Sequence, residues 1–361
     1  MRESGLKASL TVVVLVAMAA PVVAAGDGDV PRTASGRPDF SGHYDVATLT
    51  PLVRPQAFGD KLFMSREEAE SRVKQAALFR AATSQASDPD REAPPDGGDG
   101  SPGAAGNVGG YNSFWIDNGT DVFEVDGKFR TSIITHPKNG RHPPVTEAAR
   151  ERFAARRGFF RANTGEAWWL ERDGVGPYDD PELRPLAERC LLGFSSTAGP
   201  PMLPALYNNL KRIVQTEDHL MILVEMVHDA RIVRIGGEHL PATERRWLGD
   251  SIGWWDGDTL LIDTRNFGDR VALRSATRDL HTIERFSPID EDHVLYQFTV
   301  EDPNVWTESW SGEYVWPRTE TLLYEYACHE GNYALGNIMR GARLLEQEAM
   351  AKAAHSSGSG E

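Results

Sequence analysis

Four ionisable side chains set in or beside apolar stretches carry the chemistry that can be read here: Glu225, His228, Arg231 and His329. Glu225 interrupts an otherwise apolar run beginning at Leu220. A carboxylate held in apolar surroundings loses hydration and its pKa rises, which makes it a natural general acid or base. The alternative is a structural ion pair. If His228-Asp229 is a two-residue turn, Glu225 falls opposite Ile232, with Arg231 and Arg234 diagonal to it. His228 titrates near neutrality and can pass protons, Asp229 could orient it, and Arg231 could hold a carboxylate or an oxyanion. Adjacent strand residues face opposite ways, so His228 and Asp229 share a site only if the chain turns there. Turn chemistry alone would also explain them. His329 and Glu330 follow Cys328 at the expected end of the sheet, where they line a barrel mouth or simply belong to a C-terminal clasp.

Other chemistries find less support. His281 and Glu284, three apart in a strand, face opposite sides and do not share a metal. There is no His-Glu-x-x-His and no Cys-x-x-Cys, so zinc would require His228, His281 and His329 to meet in space. The expectation is no metal and no cofactor. No Gly-x-Ser-x-Gly elbow and no Gly-x-x-x-x-Gly-Lys loop is present, which removes serine-hydrolase and nucleotide readings. Trp247, Trp254, Trp255, Trp306, Trp310 and Trp316 concentrate in one half of the chain. Aromatic walls suit apolar or ring-shaped ligands, although the same residues would fill a barrel core. Asp229, His281, Tyr324 and Trp255 are the expected ligand contacts.

The elements that must position these residues are β-strands. Residues 210–329 read as strands joined by tight turns: Leu210–Gln215, His219–Val227, Ala230–Ile235, Ser251–Trp255, Thr259–Asn266, His281–Pro288, His293–Val300, Trp306–Trp316 and Thr321–Cys328. Asp256-Gly257 and Asp126-Gly127 each sit between apolar runs and predict type I′ hairpins. Upstream, Pro38–Val46 reads as a first strand, and Tyr111–Ile116, Asp121–Val125 and Phe129–Thr135 as three more. Lys61–Ala82 is helical, with Ser65 and Glu68 forming a capping box. Thr146 caps a second helix, Glu147–Arg157, and 331–354 forms a third. The Asp/Gly/Pro-rich stretch 83–110 is expected to be a disordered loop, with a lid over a pocket as its functional alternative. Many short strands in sequential hairpins predict a mainly β fold: an antiparallel up-and-down, lipocalin-like barrel over 111–330 with peripheral helices.

Several segments resemble an uncharacterised family of exported bacterial β-rich proteins. They are Tyr207-Asn208-Asn209, Glu225 to Arg231, Trp247 to Ser251, Trp255 to Leu260, Leu280-His281 with Glu284-Arg285-Phe286, and Tyr324 to Tyr333. Upstream, Arg130-Thr131-Ser132 and Glu188-Arg189-Cys190-Leu191 fit as well. The resemblance covers most of the chain and implies a lipocalin-like exported domain, with no activity or catalytic residue attached. The 83–110 stretch departs from the family pattern as an insertion.

The 361 residues carry a formal charge of −15, opposite in sign to what a nucleic-acid or anionic-membrane binder needs. Arg2, Lys7 and the apolar stretch Leu10–Ala20, followed by small residues to Ala25, read as a cleaved signal peptide, an uncleaved anchor being the alternative. The expected location is periplasmic or secreted, with no membrane insertion after cleavage. Residues 26–60 form an arm and first strand, and 355–361 a frayed tail. An oxidising compartment permits a bridge between the two cysteines, Cys190 and Cys328, with a nucleophilic thiolate at Cys328 as the alternative. Together these observations predict an exported barrel enzyme, a lyase, isomerase or hydrolase, working by acid/base chemistry on a small hydrophobic or aromatic molecule. A non-catalytic binding protein for such a molecule is the second reading.

Overall fold

The computed structural model describes residues 30–84, 90, 116–161, 164–193, 197–273 and 275–358. The expected signal peptide, most of the 83–110 loop and the expected strand Tyr111–Ile116, apart from Ile116, lie outside the described residues.

Thirteen strands are present among the described residues. They are β1 (Gly42–Asp45), β2 (Phe63–Met64), β3 (Glu124–Val125), β4 (Lys128–Arg130), β5 (Ile134–His136), β6 (Leu210–Gln215), β7 (His219–Val224), β8 (Asp229–Ile235), β9 (Asp250–Asp256), β10 (Thr259–Arg265), β11 (His281–Pro288), β12 (His293–Glu301) and β13 (Trp310–Pro317). Ten form one curled sheet in the order β1-β6-β7-β8-β9-β10-β11-β12-β13-β5, and β2-β4-β3 form a small second sheet. Three helices lie around them: α1 (Arg66–Thr83), α2 (Glu147–Phe159) and α3 (Tyr333–Gly358). None is long and apolar enough to cross a membrane, among the described residues.

The mainly β class stands, but the up-and-down antiparallel barrel is corrected. β8 and β9 run parallel, so the sheet is mixed. The connection 236–249 carries the chain from the end of β8 back to the start of the β9 pairing. Parallel neighbours need a crossover of about a dozen residues or more, and this loop supplies it. The sheet curls into a half-barrel. Beyond β13, Arg318 forms a single bridge with Tyr44 of β1, and the Thr319 N–H donates to the His43 carbonyl at 3.0 Å.

Alternation explains most of the strands. In β11, β12 and β13 every second residue is buried, placing Phe286, Tyr296, Phe298, Trp310, Tyr314 and Trp316 on the concave face. These rings pack edge-to-face or tilted; the Phe286 and Trp316 centroids lie 5.4 Å apart and those of Tyr296 and Tyr314 5.5 Å. The concave side is thereby filled with aromatic side chains, Trp306, Trp310 and Trp316 among the buried ones, whereas Trp247 and Trp254 are exposed.

Local departures have local causes. Lys128 to Arg130 and Ile134 to His136 belong to different sheets, because the chain bends over Thr131, whose hydroxyl donates to the Lys61 carbonyl at 2.7 Å. Gly312, opposite this bend, has no room for a Cβ: one would lie 2.8 Å from the Ile133 carbonyl oxygen and 2.5 Å from the Phe298 ring. The last β-strand starts at Trp310 rather than Trp306, since Trp306 bridges Val145 instead. Asp126-Gly127 is a type I′ turn, with φ of 52° and 71°. The other hairpin is shifted by one residue: Asp256 pairs with Thr259, and only Gly257 of the intervening pair has positive φ, which is type II′. Thr321–Cys328 is irregular chain rather than a strand; it is largely exposed and so has no apolar face to bury in a sheet.

The capping box of α1 is present, the Glu68 carboxylate accepting the Ser65 N–H at 2.6 Å. Cys190 and Cys328 form a disulfide with a Cα separation of 5.6 Å, which fits an oxidising compartment and excludes a free thiolate at Cys328 in this state. It ties the irregular 184–193 segment to the chain entering α3. The bridge spans 138 residues, and loop closure of that length is worth about 5 kcal/mol in the chain-entropy model. Replacing both cysteines by serine is therefore expected to lower the unfolding free energy by several kcal/mol in urea titration; coincident midpoints for the two proteins would refute a stabilising clasp.

Candidate functional site

The turn after β7 decides where the expected site residues go. The strand ends at Val224, and Glu225–His228 form a tight four-residue link to β8, with Val224 paired to Asp229. Val227 and His228 both have positive φ, at 52° and 43°. The expected two-residue turn at His228-Asp229 is thus replaced by a longer one, and Glu225 is not in a strand opposite Ile232. Its carboxylate accepts the Tyr324 N–H at 3.2 Å and takes no contact from Arg231. Burial raises the Glu225 pKa, and the Tyr324 and Asn208 hydrogen bonds oppose that rise.

Arg231 points into the concave face and is 2% exposed. Its guanidinium makes two hydrogen bonds to Glu284 of β11, at 2.6 and 2.9 Å. Glu284 is 0% exposed and also accepts the Tyr296 hydroxyl at 2.7 Å. The Tyr296 oxygen in turn accepts the Met202 N–H at 3.0 Å, and the Tyr314 hydroxyl donates to the Met202 carbonyl. Burial pushes the Tyr296 and Tyr314 phenols far up, so both stay protonated donors. Burial pulls Arg231 down, but Glu284 outweighs it and holds the guanidinium charged. Lys211 of β6 is fully buried on the same face, and burial draws its ammonium down to about 7 against the opposing pull of Asp45 and Asp229.

Of the remaining expected residues, Asp229 stays within electrostatic reach of Arg231 and His228, and the others lie apart. Asp229 accepts the Ala198 N–H at 3.1 Å, at the edge of this interior layer, and burial raises its pKa. Trp255 stacks on Phe40 at 5.9 Å, with Arg37 over its ring. Tyr324 and His329 lie on the exposed irregular segment before α3. His281 faces the convex side, opposite Glu284 as strand alternation requires. Its Nε2 contacts Asp263 at 3.2 Å and its Nδ1 contacts Glu301 at 3.4 Å. Asp263 also holds Arg265 at 2.6 Å and lies 3.1 Å from His239, whose other nitrogen contacts Asp250 at 2.9 Å. Burial works against the Asp263 charge, yet His281 and Arg265 hold its pKa well below the carboxylate range. Among the described residues no group of His, Cys, Asp or Glu is arranged to hold a metal ion.

Sequence reasoning missed the partner residues Glu284, Tyr296, Tyr314 and Lys211, and the convex cluster around Asp263. The alternation of β6 and β8 carries no signal for them, since both parities of each strand mix charged and apolar residues. It also missed a cavity of about 680 Å³ between the 117–127 segment and the β12–β13 hairpin. Leu295 and Val315 floor it from the positions that alternate with the core Tyr296 and Tyr314, so it opens on the other face of the sheet. Val122 and Phe123 form its opposite wall.

No family model, curated protein or solved structure matches this chain.

Two outcomes follow from these contacts. Removing one partner of a buried ion pair leaves a buried charge and costs about 3–5 kcal/mol. Glu284→Gln is expected to lose stability on that scale, and Arg231→Met combined with Glu284→Leu to lose much less than the sum of the single changes in urea titration. Additive losses would show that the two side chains are uncoupled. His281 has a folded pKa above its ordinary 6.5, raised first by the Asp263 hydrogen bond. Its contribution is therefore complete below that value and is lost as pH climbs through the folded pKa. The stability gap between wild type and His281→Asn should be widest below the ordinary histidine value of 6.5 and narrow as pH rises through the raised folded value; a gap that widens with pH would contradict the assignment.

Proposed function

We propose that this protein is a non-catalytic small-molecule binding protein and that its ligand occupies the cavity between the 117–127 segment and the β12–β13 hairpin. The observation that carries the reading is the division of labour between the two faces of the sheet. On the concave face the central ion pair is closed: Arg231 is bound at both ends of the Glu284 carboxylate, and Glu284 is capped by Tyr296. Acid/base catalysis would need Glu225, His228, Arg231 and His329 around one reacting atom; the Glu225 carboxylate instead accepts the Tyr324 N–H, Arg231 is committed to Glu284, and His329 lies on the exposed segment before α3. On the other face lies a space of about 680 Å³, within the range of roughly 300–1,000 Å³ that small-molecule sites occupy. Its apolar wall of Val122, Phe123, Leu295 and Val315 suits a hydrophobic or aromatic body.

The binding takes place outside the cytoplasm in this reading. The basic and apolar segments before Ala25 supply an export signal, and the Cys190–Cys328 bridge suits an oxidising compartment.

A ligand-observed NMR screen of small aromatic fragments, run on wild type, Val315→Trp and His228→Ala, tests this. Val315→Trp is expected to fill the cavity and abolish binding while the thermal midpoint stays within a few degrees, and His228→Ala is expected to bind as wild type does. Loss of binding in His228→Ala with retention in Val315→Trp would move the site to the β7–β8 turn and sink the proposal.

A further inference from the structure

We propose that the cavity selects organic cations: molecules with an apolar or aromatic body and one protonated amine or quaternary ammonium. The inference rests on the binding reading above and names its ligand class. Two independent features meet at this place. The floor and back wall are apolar, which calls for a hydrophobic body. The rim is anionic on every side, with Asp45, Asp117, Asp121, Glu124, Asp126 and Asp290 all lining the space.

No lysine or arginine stands among the described residues that line the cavity. Asp290 alone has a basic neighbour in the lining, His293, whose Nδ1 lies 2.8 Å from its carboxylate. Asp45 feels the buried Lys211 ammonium from behind the cavity, and the short hydrogen bonds of the rim come from neutral donors. Asp45 accepts the Ala47 N–H at 3.1 Å, Asp117 the Gly119 N–H at 3.0 Å, and Asp121 the Thr120 hydroxyl at 2.6 Å. These are short local bonds that fix the carboxylates in place without neutralising them.

Asp45 is the innermost of the set, standing where β1 ends. Burial raises its affinity for a proton and the charge of Asp117 adds to the rise, which the Ala47 N–H and the Lys211 ammonium oppose without cancelling it. Two carboxylates that repel one another across an apolar floor gain from a cation placed between them, because the shared counter-charge removes both the repulsion and part of the desolvation cost. Phe123 in the wall adds a ring face to which an ammonium is attracted. An anionic ligand would meet the opposite field, and a neutral one would leave the acidic rim uncompensated. Discrimination here is achieved by repelling the wrong charge as much as by attracting the right one.

The test is isothermal titration of the full chain with three probes of one shape: 2-phenylethylamine, 2-phenylethanol and 3-phenylpropionate. The amine is expected to bind at least tenfold tighter than the alcohol at neutral pH and low salt, with the carboxylate weakest. Raising the salt concentration should weaken the amine and leave the alcohol unchanged. Asp45→Asn with Asp117→Asn should cost the amine tenfold or more and spare the alcohol. Val315→Trp should abolish binding of both. Equal or tighter binding of the alcohol or the carboxylate would overturn the cation class while leaving the cavity as a binding site. Amine binding that survives Val315→Trp would place it on surface acids outside the cavity and overturn the proposal. Failure of all three probes to bind would overturn both the class and the binding reading. A folded Asp45→Asn, Asp117→Asn protein, shown by an unchanged thermal midpoint, keeps the comparison valid; should that pair fail to fold, Asp117→Asn alone is read in the same way.

Discussion

The ion pair between Arg231 and Glu284 is the constraint around which the rest of the fold is arranged. Two opposite charges in an apolar interior repay their desolvation only when geometry is good and the spare lone pairs are filled. Both conditions fix structure at a distance. The forked contact sets the approach of β8 to β11 across the concave face. The Tyr296 hydroxyl fills the remaining lone pair, and Met202 holds that hydroxyl from behind through its N–H. The Met202 carbonyl is claimed in turn by Tyr314. A segment outside the sheet is thus drawn in to close the polar layer, and the aromatic rings of β12 and β13 take orientations that serve hydrogen bonding as well as packing.

The convex face solves a different problem. Its charges are partly wet, so they are tied in chains rather than sealed pairs. Asp250, His239, Asp263, His281 and Glu301 alternate acid and base across β9 to β12. The cavity at the β12–β13 hairpin stands apart from this pattern because its acids face one another with a single histidine among them. An excess of carboxylates around a void is what distinguishes it from the alternating clusters of the convex face.

Much of this was legible in the chain. The strand expected over His281–Pro288 falls on those residues. The Ser65–Glu68 capping box and the cysteine bridge rest on local chemistry that needs no tertiary context. The misses have a common cause. In β8 both alternating sets, Asp229-Arg231-Val233 and Ala230-Ile232-Arg234, mix charged with apolar residues, so periodicity does not say which side is inside. Register to β11 decides it, and register is a property of the whole sheet. The turn at Glu225–His228 escaped for a related reason: it uses positive φ at Val227, a β-branched residue that local preference assigns to a strand. The parallel pairing of β8 with β9 leaves no local mark, since the Gly-bounded loop 236–249 would read the same in an antiparallel meander.

That parallel pairing divides the molecule's cooperativity. From β6 to β8, and again from β9 to β13, every strand pairs with its neighbour in sequence, so each block can zip from its own hairpins. Among the described residues the parallel pairing that joins the blocks is short, running from Val233 with Ser251 to Ile235 with Gly253, with the Gly236 N–H donating to the Gly253 carbonyl at its end. Arg231 belongs to one block and Glu284 to the other. The ion pair is therefore a rivet driven through a seam: it forms only once both halves are assembled, and afterwards it converts two locally built foldons into one unit that opens as a whole.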